Sequence, residues 1–126
     1  MSEPREPRKA IEPASWEKFL QDFSKRNANR RARFDIFFES GETLEEGEEG
    51  HLENVALDKD AGKTQVVVKR ADQTAGDAKT MTDTIENVRG ISVQYDTDRS
   101  EDALEITDGK NTLFSLRLES KVDGNS

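Results

Sequence analysis

The chain has no cysteine and a single histidine, His51. Without cysteine there is no disulfide, no thiolate metal ligand and no cysteine nucleophile. The same absence fits a reducing compartment, so a cytoplasmic protein is expected. With one imidazole and no thiolate, the nitrogen and sulfur ligands that zinc prefers are missing. No stretch approaches the roughly 20 apolar residues of a membrane span. The opening MSEPREPRKAIEP lacks an apolar run and does not read as a secretory signal. There is no Gly-rich phosphate loop and no nucleophile-elbow serine, and HLENV at 51–55 is not a zincin helix. These absences point to a non-enzymatic protein.

What is present is charge. Of 126 residues, 37% are charged and 32% apolar. That suits one domain with one modest core. The net charge of −8 is unevenly spread. Residues 1–33 hold nine basic side chains against five acidic ones, +4, so the rest of the chain carries −12. An acidic body of this kind repels nucleic acid and anionic membrane at long range.

Apolar spacing divides the chain into a flexible arm over 1–12, one α+β domain over 13–120 and a frayed tail over 121–126. Trp16, Phe19, Leu20 and Phe23 fall at i, i+3, i+4 and i+7, one face of a helix. Ser15 stands where an N-cap would, Lys25 and Arg26 suit the negative C-terminal end, and Asn27 and Asn29 suit a stop. RARFDIFFES is a strand with Phe34, Ile36 and Phe38 on one face, Asp35 and Phe37 on the other. A hairpin follows, with arms near Leu52–Leu57 and Thr64–Lys69 and Gly62 free to take positive φ in its turn. Residues 71–83, polar and small, read as a loop. ISVQYD alternates Ile91, Val93 and Tyr95. Leu104 and Ile106 lead to the turn signal Asp108-Gly109, and the return strand aligns Phe114, Leu116 and Leu118. The expected fold is therefore α+β: an N-terminal helix on a strongly bent antiparallel sheet, or a small partly open barrel, of about five strands.

The acid-rich stretch 37–55 invites a metal reading. Its glutamates are irregularly spaced among glycines, without the converging loop that calcium needs, so it reads as a solvated turn that also keeps a strand edge from pairing. DKDAGK at 58–63 and DTDRSED at 96–102 depart from the calcium-loop pattern and read as turns. No metal and no cofactor is expected. Were the chain an enzyme, Glu45, Glu49 and His51 would be the first suspects. The best binding candidate is the basic run Lys25, Arg26, Arg30, Arg31 and Arg33, able to meet phosphate, RNA backbone or an acidic partner. Its plain alternative is internal pairing, since helix C-termini favour cations and the body is acidic. Phe37, opposite the other strand hydrophobes, is the interface candidate, to be covered by a second layer or a second copy.

SWEKFLQDFSKRN, RFDIFF, LENVALD and ALEITDGKNTLFSLRLES follow in an order that resembles an uncharacterised bacterial family, the domain-of-unknown-function 5335 type, over residues 13–118. That family implies no activity and no catalytic residue. The helix-then-strands order is also similar to Sm-like RNA-binding barrels, whose RNA-pocket residues are missing here. The expectation is a small cytoplasmic domain working through protein–protein contacts with an unidentified partner or a second copy of itself. The alternative is an Sm-like nucleic-acid-binding barrel using Lys25 to Arg33.

Overall fold

A computed structural model describes residues 8–45, 50–60, 62–72, 79–95 and 100–119. Among these lie β1 (Arg8–Ile11), a 3-10 turn (Pro13–Ser15), α1 (Trp16–Arg26), β2 (Arg31–Phe37), β3 (Thr43–Glu45), β4 (Gly50–Asp60), β5 (Lys63–Asp72), β6 (Lys79–Ile85), β7 (Val88–Tyr95), β8 (Glu101–Asp108) and β9 (Leu113–Leu118). The strands form one antiparallel sheet in the order β1-β7-β8-β9-β2-β4-β5-β6, with β3 beside β2. One helix on a largely β protein agrees with the expected layers. The strand count does not: there are nine among the described residues rather than about five.

The additional strands have identifiable origins. The arm expected over 1–12 ends in β1, whose Arg8 and Ile11 pair with Gln94 and Ile91. Part of the expected loop 71–83 is strand: β5 runs to Asp72, and β6 begins at Lys79. Thr80, Thr82 and Thr84 look loop-like in composition, yet β-branched threonine suits the polar side of an edge strand. The acid-rich stretch is not wholly turn. Phe38 to Glu42 close a tight hairpin in which the Phe38 N–H donates to Glu42 O at 2.9 Å and Gly41 takes φ 99°. β3 then pairs with the C-terminal half of β2, while β4 takes its N-terminal half. Residues 46–49 lie outside the described set.

The helix keeps its expected face. Leu20 and Phe23 are fully buried, Trp16 nearly so, and Phe19 partly. Ser15 sits at the N-cap without capping through its side chain. The start is fixed instead by the 3-10 turn and by Trp16 Nε1, which donates to Ile11 O at 2.9 Å. At the other end Asn29 turns the chain at φ 71°, the left-handed region that asparagine tolerates. Ser24 Oγ accepts from Val55 N–H at 2.8 Å, fastening α1 to β4 near the bulge between Leu52 and Asn54.

One core unites both flanks of the sheet: Ile91 and Val93 from β7 and Val66 and Val68 from β5 join Leu20, Phe23 and Phe34. For opposite flanks to share a core under one helix, the sheet must curl around it, and it does so without closing. Near its centre lies a cation. Val66, Val68 and Arg70 share the inward phase of β5, and Arg70 is 1% exposed. Its guanidinium lies 5.6 Å from the Phe34 ring centroid and donates to Asp83 Oδ2 at 3.2 Å. Gly50 makes this packing possible, because a Cβ there would come within 2.7 Å of the Met81 methyl and 3.2 Å of Arg70 Cβ.

The hairpin signal at Asp108-Gly109 holds, with a different residue carrying the strain. Asp108 Oδ1 accepts from the N–H groups of Lys110 and Thr112 at 2.8 and 3.0 Å. Asn111, at φ 63°, rather than Gly109, supplies the left-handed turn.

Candidate anion-binding face

The five basic residues read from sequence part company at the start of β2. Arg26 and Arg30 close the helix side of the sheet. Arg26 makes a two-pronged contact with Glu101, Nε at 3.1 Å and Nη2 at 2.6 Å. It also lies 5.6 Å from the Phe19 ring centroid. The hydrogen bond to Glu101 raises the Arg26 pKa further above its ordinary value, against the opposing cost of burial. Asn27 Nδ2 donates to the same carboxylate at 2.8 Å, and Arg30 Nη1 donates to Asn27 Oδ1 at 2.9 Å and Glu101 O at 2.8 Å. Arg30 Nη2 also reaches Glu119 O. Glu101 can face α1 because a register shift between Gln94 and Tyr95 interrupts the β7–β8 ladder beside it. Lys25 is exposed and stands apart from this group, beside a groove lined by Gln21, Ser24, Glu53 and Asn54.

Arg31 and Arg33 point the other way. Along β2 the buried Ala32 and Phe34 face the core, so Arg31, Arg33 and Asp35 occupy the outer face. Antiparallel pairing with β9 sets Arg33 directly opposite Arg117 and Asp35 opposite Ser115. β8 continues the two rows with Ala103 opposite Arg117 and Glu105 opposite Ser115. The result is one row with Arg33 and Arg117 and a neighbouring row with Asp35, Ser115 and Glu105. A cavity of about 330 Å³ opens between Arg31, Ala32, Arg33, Arg117, Leu118 and Glu119.

Most of these charges are matched. Arg8 bridges Glu105 at 3.2 Å, Arg31 approaches Glu119 at 3.7 Å, and Arg33 Nε lies 3.6 Å from Asp35 Oδ1. Arg117 differs: it is exposed and makes no ion pair or hydrogen bond among the described residues. Like charges directly opposite on a ladder repel, so Arg117, set against Arg33, is a cation without a counter-charge among the described residues. Beside them Asp35 is 4% exposed, and its Oδ1 has no hydrogen bond.

Comparison with protein-family models, curated proteins and solved structures finds no match to the chain. The outer face must therefore be read from its own chemistry.

The remaining sequence candidates scatter. His51 pairs in register with Arg31, while Glu45 pairs with Asp35. Those positions are four residues apart on β2, on the order of 13 Å. Glu49 lies outside the described residues, as do the side chain of Glu45 and most of DTDRSED. Among the described residues no three His, Cys, Asp or Glu side chains gather as metal ligands. No described helix is long and apolar enough to cross a membrane. Phe37 is half-buried on the outer face, and among the described residues the exposed large apolar side chains are its neighbours Phe38 and Leu44, at 39% and 50%. Sequence reasoning passed over Arg117 and Asp35. Their outward phase is visible in LFSLRL and RARFDIF, but their meeting depends on the long-range pairing of β2 with β9.

Proposed function

We propose that this chain is a non-enzymatic binding domain that takes an acidic segment of a partner protein on the outer face of β2 and β9. The observation that carries the reading is the opposed pair Arg33 and Arg117, with Arg117 unpaired among the described residues, at the rim of a cavity of about 330 Å³. A guanidinium fork suits a carboxylate, and a spare cation surrounded by paired ones is a site where a partner's charge relieves repulsion. The chain's net charge of −8 disfavours a long polyanion at the same place. The proposal includes membership of the uncharacterised bacterial family that the Trp-bearing helix and the RFDIFF strand resemble.

Fluorescence anisotropy with a labelled acidic peptide tests it. Binding at low salt should fall about tenfold or more in Arg117→Ala. Absence of peptide binding, or preferential binding of an RNA oligonucleotide with a steep salt dependence, would overturn this reading. The second outcome would favour the Sm-like alternative.

A further inference from the structure

Building on that reading, we infer that the outer face recognises a charge register: one carboxylate at Arg33 and Arg117, followed two residues later by a cation or hydrogen-bond donor over Asp35 and Glu105. The two rows are two residues apart on β2, Arg33 to Asp35, and likewise on β9, Arg117 to Ser115. In extended chain that is about 7 Å, the interval between successive side chains on one side of a strand. A partner segment lying along β2 and β9 in extended form thus places alternate side chains on the two rows.

The rows differ in sign. The first offers Arg33 and Arg117. The second offers Asp35, Ser115 and Glu105, which are 4%, 4% and 8% exposed. Arg8 bridges Glu105, and Arg33 lies at 3.6 Å from Asp35, beyond hydrogen-bond range. A second acid two residues from the first would face these two carboxylates, whereas a lysine or arginine there would complement them. The ligand class is therefore a mixed-charge extended peptide rather than a polyacidic tract.

The test uses the full chain and three blocked peptides that differ at one position: Glu-x-Lys, Glu-x-Gln and Glu-x-Glu. Glu-x-Lys should bind about tenfold more tightly than Glu-x-Glu at low salt, with Glu-x-Gln between them. Asp35→Asn should narrow the gap between the lysine and glutamate peptides. Glu105→Gln, a conservative change at a second position, should do the same if Asp35→Asn fails to fold. Equal binding of all three, or tightest binding of Glu-x-Glu, overturns the charge register while leaving an acid-binding face. Failure of every peptide to bind removes the proposed function itself.

Discussion

Two groups of arginines lie a few residues apart in sequence and have opposite fates. Arg26 and Asn27 converge on the buried carboxylate of Glu101, and Arg30 donates to the Glu101 backbone carbonyl, so every charge there has a near neighbour of opposite sign or a carbonyl. Arg31 and Arg33 sit on the outer face, opposite His51 and Arg117, where the balance is incomplete. The helix end uses cations to close a structure. The outer strand row leaves Arg117 without a partner among the described residues. The same residue type is therefore structural or available according to what the ladder places beside it, and a basic run in a sequence does not distinguish the two.

The contrast can be broken most severely at Arg70, the fully buried cation. Arg70→Ala removes its contact with Phe34 and its bond to Asp83 and leaves a cavity. A loss of about 3–5 kcal/mol is expected in urea denaturation, enough to threaten folding of so small a domain. Glu101→Ala should cost less, about 2–3 kcal/mol by the same measurement, because Arg26 is half exposed and water takes over part of its role. The contribution of Arg26 has a definite pH signature. Its folded pKa is raised, so the stabilisation is fully present below the ordinary arginine value and is lost only as pH climbs through the folded one. A plot of stability against pH should therefore show no titration of Arg26 near neutrality. The smallest effect has the opposite sign. Arg117→Glu replaces a repulsive cross-strand pair with an attractive one and should stabilise by about 0.2–1 kcal/mol while removing acidic-peptide binding. A gain in Tm with a loss of binding would mark the outer face as a surface kept for a ligand; a loss of Tm would place Arg117 among the structural cations.

Much of the inner face was legible in the sequence. Trp16, Leu20 and Phe23 form the helix stripe, and Leu104, Ile106, Leu116 and Leu118 the strand core, because local period alone determines which way they point. β1 and β6 were not legible. Both are edge strands with polar exteriors, and RKAI and KTMTDTI carry little apolar signal. Nor was the outer face. The +4 at the start of the chain directed attention to Lys25 through Arg33 as a single patch, whereas the turn at Asn29 and the strand alternation divide it. Arg117 is brought to the outer face by the long-range pairing of β2 with β9.

Arg70 also bears on how the chain acquires its shape. Its neighbours come from two other strands: Phe34 on β2 and Asp83 on β6. An assembly in which β5 has docked but β6 has not would strand a desolvated cation without Asp83, a costly species. Such half-built forms are penalised, so β2, β5 and β6 should condense together, in one cooperative step rather than strand by strand.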